Sequence, residues 1–460
     1  MNDIKRQSTL RRALEQEVEV KPKLLEPRAD SLITEPKAET PIFSQSKLME
    51  EICEANNLRE ALKRVRQNKG APGVDGMTVN DLVPYLKENW QTIKAQLLMG
   101  EYQPQAVRRV DIPKPKGKGT RRLGIPSSLD RFIQQATLQV LQKEWDPRFS
   151  SKSFGFRPGK SAHQAVSQAQ RYVQEGYAIV VDIDLEKFFD RVHHDRLMSK
   201  LDREIEDKRV LKLIRAYLKA GIMEEGLVKP STEGVPQGGP LSPFLSNVVL
   251  DELDKELEKR GHRHTRYADD CSVYVKSLRS GERVMRSVKR YITERMKLKV
   301  NEEKSAVDTP VKRQFLGFRI IGREVRVRRG IAPASIKKFR AKIRQLTRRN
   351  WSISMEARIK VLSKYLIGWR AYYGFCETPT VLGDLDSWIR RRLRSANWKQ
   401  WKVYRNRKSK LMKLGISQDL AHITAWCSRG PWRMSHMPGT RMAMSNSYFD
   451  RYGLPRLLVS

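Results

Sequence analysis

The chain has 460 residues, enough for two or three domains around a large core, and sets 90 Lys plus Arg against 52 Asp plus Glu for a formal net charge of +38. That charge is far beyond what solubility requires, so a polyanionic partner is the economical explanation, nucleic acid first. No apolar run approaches the roughly 20 residues of a spanning helix and no apolar signal segment opens the chain, which argues for a soluble, intracellular protein, and Cys53, Cys271, Cys376 and Cys427 form no C-x-x-C pair, which argues against a zinc site or a disulfide framework.

Residues 1–44 mix Glu, Lys, Arg and Pro without hydrophobic periodicity and read as a flexible extension. An amphipathic helix is expected from near Ser44 through Leu48, Ile52 and Leu58 to Val65. It stops at the glycine and proline loop from Asn68 to Gly76, whose backbone amides and Lys69 suit a phosphate and equally suit an ordinary surface loop. Val107–Ile112 reads as a strand running into a basic hairpin, Pro113 to Pro126. Its cations can reach over a triphosphate, or be solvated loop charge. Next comes Phe154-Gly155-Phe156-Arg157-Pro158-Gly159, where Arg157 precedes a helix and could either touch a phosphate or brace the chain.

Ala178–Leu185 is an apolar strand broken only by Asp182 and Asp184, which alternation puts on one face. Glu186 to Asp190 follows with helical character. The stretch Gly234-Val235-Pro236-Gln237-Gly238-Gly239-Pro240 allows close backbone approach and a hydrogen bond from Gln237, or is a glycine-rich turn before a helix near Ser242. Arg266-Tyr267-Ala268-Asp269-Asp270-Cys271 lies between two strand-like runs, so the paired aspartates should cap a hairpin. Adjacent carboxylates at a tight turn repel one another without a cation, and Mg²⁺ suits one or two carboxylates plus substrate phosphates. If the two acidic strands are neighbours, Asp184 and Asp269 can share two ions roughly 4 Å apart, the arrangement used in nucleotidyl transfer. Alone, the tetrapeptide Tyr-Ala-Asp-Asp is weak and fits a solvated turn.

Downstream, Leu298–Ser305 carries Lys304, and 315–328 reads as a hairpin turned at Gly322-Arg323. From Ser335 the pattern changes to long helices with Lys337, Lys338, Arg344 and Arg348 and almost no acid, which favours a phosphate-tracking surface. Aromatics interleaved with cations, including Arg391 and Arg394, continue to Tyr404.

Taken in this order, Asp-Ile-Asp-Leu-Glu-Lys-Phe-Phe-Asp, Gly-Val-Pro-Gln-Gly-Gly-Pro-Leu-Ser-Pro and Tyr-Ala-Asp-Asp resemble the reverse transcriptases, and within them the group II intron-encoded reverse transcriptase/maturases. The resemblance covers residues 45 to 460. It implies an α+β fold: a right-hand polymerase with fingers and an antiparallel palm sheet at 45–328, an α-helical thumb/maturase domain at 329–400, and a DNA-binding-like segment at 401–460. It also implies two Mg²⁺ ions, with Mn²⁺ as a substitute, held by Asp184, Asp269, Asp270 and the carbonyl of Leu185. Lys114 and Arg121 of the fingers hairpin, Phe189, Gln237 and Lys304 would meet the nucleotide, although the usual Arg-Pro is Arg121-Arg122 here. Phe189 would fill the space of a ribose 2′-hydroxyl, with Phe188 in the core. Lys69, Arg157, Lys337, Lys338, Arg344, Arg348, Arg391 and Arg394 would bind nucleic acid.

The function so implied is RNA-directed DNA polymerase and intron maturase, with group II intron RNA, target DNA and dNTPs as partners and no membrane. The chain ends without the HNH endonuclease domain of some relatives, so DNA cleavage is not expected. The location implied is the bacterial cytoplasm, on the nucleoid when DNA is bound. Two alternatives stay open: an RNA-binding splicing factor on an inactive polymerase scaffold, and a domesticated reverse transcriptase in phage defence.

Overall fold

The computed structural model describes residues 47–113, 120–224, 227–229, 233–322 and 326–458. The expected extension at 1–44 and Lys114 lie outside them. Among the described residues there are ten strands: β1 Val107–Pro113, β2 Thr120–Ile125, β3 Ile179–Ile183, β4 Ile222–Glu224, β5 Leu227–Lys229, β6 Arg263–Tyr267, β7 Asp270–Val275, β8 Ala306–Asp308, β9 Phe318–Ile321 and β10 Arg328–Ile331. They form a four-stranded sheet in the order β2-β1-β4-β5, a second in the order β6-β7-β3-β8, and the two-stranded ribbon β9-β10. All ladders are antiparallel except the short one between β1 and β4.

Two compact units divide the described chain, one of residues up to 168 plus 179–308, the other of 169–178 plus 309 onward. The β9-β10 ribbon, at the expected passage from palm to thumb, groups with the helices after it. In the first unit the acidic sheet is backed by an apolar core that includes Val181, Ile183, Leu185, Leu250 and Val273. The helix expected from Ser44 to Val65 is broken into Leu48–Ile52 and Ala55–Asn68. Glu54 adopts extended backbone between them, and the Asn57 amide spans the break, donating to Ile52 O at 2.9 Å and Ala136 O at 3.1 Å.

The Ser128–Trp145 helix is buried along most of its first half and is capped by Ser127, which accepts from the Asp130 N–H. Asp130 is itself buried and accepts from the Tyr102 hydroxyl at 2.9 Å and the Ser127 hydroxyl at 2.7 Å. Burial outweighs these donors and pushes its carboxyl up to about 6. A carboxyl raised above its unfolded value weakens the fold fully at pH above about 6, and the loss fades as pH falls toward the ordinary 3.8. Wild type is therefore expected to gain unfolding free energy relative to Asp130→Asn between pH 7.5 and pH 4.5. A difference independent of pH in denaturant titrations would show that Asp130 ionises normally.

The second unit carries the helices Pro333–Leu346, Met355–Tyr373 and Pro379–Gln400, followed by shorter helices to Arg451. Ile359, Leu362, Leu366 and Trp369 fall at helical spacing on one buried stripe, packed with Phe339, Ile343, Leu385 and Leu393. The cations Lys337, Lys338, Arg340 and Arg344 lie on the exposed side of their helix. No helix among the described residues is long and apolar enough to cross a membrane.

Candidate active site

The hairpin expected around the paired aspartates forms with a two-residue loop. Tyr267 pairs with Asp270, which leaves Ala268 and Asp269 as the turn. Ala268 has φ 56° and Asp269 does not share the positive sign, the pattern of a II′ hairpin, which ordinarily places glycine first. An alanine there stores strain of about 1–3 kcal/mol, which the surrounding structure must hold. β7 lies beside β3, with Asp182 opposite Ser272 and Ile183 opposite Cys271. Carried one residue further, this register sets Asp184 beside Asp270. Val181, Ile183 and Leu185 are buried while Asp182 and Asp184 are only partly so, as the two-residue period requires.

The acids affect one another. Asp270 keeps an exposed edge, yet loss of water around its carboxyl, then the charges of Asp269, Asp182 and Asp184, push it up to about 7, with Lys304 pulling the other way. Lys304 sits on Asp184, its Nζ 3.1 and 3.2 Å from the two carboxylate oxygens. The backbone N–H of Asp184 donates to Ser305 Oγ at 3.0 Å, and its carbonyl accepts from Asn301 N at 2.8 Å. With Glu186 N bonded to Lys299 O, the bridge between Leu185 and Val300 turns the Leu185 carbonyl away from residue 300.

These donors suit a hard cation: all are oxygens, the carboxylates crowd enough to raise one of their own, and an ammonium already partners Asp184. Among the described residues no three acidic, imidazole or thiol side chains converge closely enough to enclose an ion. A Mg²⁺ ion here would take one or two of these carboxylates, with its remaining ligands from substrate phosphates and water.

The glycine-rich loop packs against the segment after β3 and against β2. Val235 N donates to Phe189 O at 2.6 Å, and Gly124 N donates to Gln237 O at 2.7 Å. A Cβ on Gly238, whose φ is 131°, would lie 2.3 Å from Gly124 O, so this approach of the loop to β2 requires glycine. Phe188 is buried at 2% exposure and Phe189 is half-buried, their rings 5.2 Å apart edge-to-face. Arg121 stands on β2 opposite Ile112.

The other expected residues divide. Lys69 is exposed, in left-handed backbone at the end of the Ala55–Asn68 helix. Lys337, Lys338, Arg344 and Arg348 are exposed, and Arg391 lies 4.1 Å from the Trp432 ring centre. Two corrections follow from burial. Arg157 does not face a phosphate: its guanidinium donates to Asp146, Ser150 O and Ser153 O, with 4% of the side chain exposed. Arg394 is likewise enclosed, donating to Ser435 O and Met444 O at helix ends. Ser305 gave no sequence signal, and neither did the clustering of the Arg340, Arg344 and Arg392 guanidinium groups within 6 Å of the Trp388 ring centre. Arg340 and Arg344 precede Trp388 with the whole Met355–Tyr373 helix between them, so no local spacing signals that cluster.

Two family models match the chain. Residues 112–320 match the family "Reverse transcriptase (RNA-dependent DNA polymerase)", and residues 336–415 match "Group II intron, maturase-specific domain". Protein YkfC of Escherichia coli (strain K12) is 32% identical over 371 residues, covering 70% of this chain and 96% of that protein. The group II intron-encoded protein LtrA of Lactococcus lactis subsp. cremoris is 36% identical over 195 residues, covering 42% of this chain and 32% of LtrA. A solved structure titled "Partial Cas6-RT-Cas1--Cas2 complex" covers 54% of this chain and 43% of its own at 27% identity, with a TM-score of 0.36. With a reverse transcriptase match across the acidic cleft, a maturase match across the basic helices and a relative spanned almost end to end, the chain belongs to the group II intron-encoded reverse transcriptase/maturase family.

Proposed function

We propose that the chain is an RNA-directed DNA polymerase and maturase that binds its group II intron RNA, assists splicing and copies RNA into cDNA by two-metal nucleotidyl transfer. The observation that carries this reading is the register between β3 and β7, which sets Asp184 beside Asp270 with Asp269 at the adjoining turn. The right-hand description follows: residues 45–328 as fingers and palm, 329–400 as thumb and maturase domain, 401–460 as a segment for target DNA. The setting is the bacterial cytoplasm, with the nucleoid as the DNA-bound location.

Asp184, Asp269, Asp270 and the Leu185 carbonyl would hold the ions, which supply a lowered pKa at the primer 3′-hydroxyl and charge stabilisation at the leaving pyrophosphate. The protein's own part is positional. Lys304 neutralises Asp184 before the nucleotide arrives and then lies within reach of its phosphates. Arg121 and Lys114 grip the triphosphate from the hairpin, and Gln237 orients the nucleotide from the glycine loop. As maturase the chain acts by binding, its cations holding the intron RNA in its active fold.

Phe189 provides the test of nucleotide choice. Its ring is the half-buried member of the pair, while Phe188 fills the core. Phe189→Val is expected to lower discrimination against ribonucleotides by roughly 10- to 100-fold, the range a pocket gains or loses with a few carbon atoms. Single-nucleotide incorporation with dNTP against rNTP measures it, and unchanged selectivity would remove Phe189 from that role.

A further inference from the structure

The strained turn that carries Asp269 is held from behind by residues with no part in the chemistry. Arg266, the second residue before Ala268, is completely buried on β6. Its Nε and Nη2 donate to the Asp254 carboxylate at 2.5–2.9 Å. Its Nη1 donates to Asn247 Oδ1 and to Ala268 O, each at 2.9 Å. Asn247 Nδ2 in turn donates to Gly155 O at 2.9 Å. Gly155 lies directly against the turn: a Cβ there would sit 2.3 Å from Ala268 N and 3.0 Å from Tyr267 C.

The chain around Gly155 is fixed independently, because Arg266 N donates to Lys152 O and Phe154 N donates to Arg266 O, both at 2.9 Å. Ala268 is thus held on both sides: a guanidinium grips the carbonyl of the Ala268–Asp269 peptide, and Gly155 packs against the preceding Tyr267–Ala268 peptide. Asp254 and Asn247 stand on one face of the Ser242–Lys259 helix, whose first residue donates through Ser242 Oγ to Pro236 O at 2.6 Å. One helix therefore mounts both the glycine loop and the acidic turn.

We propose that Arg266, locked by Asp254 and Asn247, is a positioning residue that fixes the Ala268–Asp269 peptide and so sets the Asp269 carboxylate for metal binding, with Gly155 as the matching close contact. A buried ion pair alone is weak evidence for stabilisation, since desolvation offsets the attraction. Here the fifth guanidinium bond goes to the turn carbonyl, and a planar five-donor group is what such a fixed fork requires. The proposal rests on reading the cleft as a polymerase site, and its test separates the two.

Two variants of the full chain perturb the turn by different routes. Asn247→Ala removes the clamp's second anchor. Gly155→Ala leaves Arg266 untouched and pushes on the turn, and Gly155 itself has no left-handed backbone to strain. Two readouts are taken: Mg²⁺ half-saturation of primer extension, and Mn²⁺ affinity, by electron paramagnetic resonance, of protein bound to template, dideoxy-terminated primer and dNTP. Both variants should weaken metal binding at least about fivefold, the equivalent of one lost hydrogen bond, at a temperature where each is folded by circular dichroism. Unchanged metal affinity, with only a lower melting temperature, would overturn the positioning role while leaving the polymerase intact. Weakened Mn²⁺ binding in variants of a wild type that never extends a primer would support the clamp and sink the polymerase reading. Absence of Mn²⁺ binding by wild type would overturn both.

Discussion

Affinity for intron RNA is expected to fall by about 3 × 10²- to 2 × 10⁴-fold between 50 and 200 mM salt, the loss that accompanies roughly six to ten phosphate contacts at the single-strand slope. The Pro333–Leu346 helix contains no Asp or Glu, and its Lys337, Lys338, Arg340 and Arg344 are exposed, with Arg348 and Arg349 just beyond. Repulsion along this face has no internal remedy on its own helix, so a polyanion that releases its counterions there is the favourable partner. Beside it, three guanidinium groups around Trp388 pair stacking with charge. Replacing Lys337 and Lys338 together by Glu should lower the slope of log affinity against log salt by roughly 1.4, about 0.7 for each contact to single-stranded RNA. A flat salt plot for wild type would show that phosphate contacts do not dominate binding.

The second large effect is catalytic. Asp269→Ala is expected to lower cDNA synthesis by roughly three orders of magnitude or more, since a metal-held charge is worth several kcal/mol in the transition state. RNA affinity should stay within about twofold, because the basic helices belong to the second compact unit. Asp269 sits at the second position of a two-residue loop, where its side chain is not needed for the ladder on either side. Its truncation should therefore leave the hairpin standing. Undiminished polymerisation would remove Asp269 from the site.

Much of the cleft was legible because strand periodicity is strict. Asp182 and Asp184 had to share a face, and a Tyr-Ala-Asp-Asp run between two strand-like segments had to be a turn. Phe188 is buried and Phe189 is half-buried beside it. What the sequence withheld depends on contacts distant in the chain. Arg157 and Arg394 look like free cations in a basic protein, and only the carbonyls that enclose them, from Ser150 and Ser153 or Ser435 and Met444, make them braces. Asp254 and Arg266, twelve residues apart across a helix and a strand, look unrelated until both are buried. The break at Cys53-Glu54 was hidden because apolar spacing runs through it, and the short strands β4, β5 and β8 are too brief to show a period. The raised pKa of Asp270 likewise arises first from burial and then from Asp269 at the turn and Asp182 and Asp184 at β3, 86 to 88 residues earlier in the chain.

Primer extension by the full chain on an RNA template, with dNTPs and with Mg²⁺ present or chelated, tests the central claim most directly. Extension that needs Mg²⁺ and favours dNTPs over rNTPs is the expected result. Failure to extend under any metal, with tight and salt-dependent RNA binding preserved, would contradict it and leave a splicing factor built on a silent polymerase site.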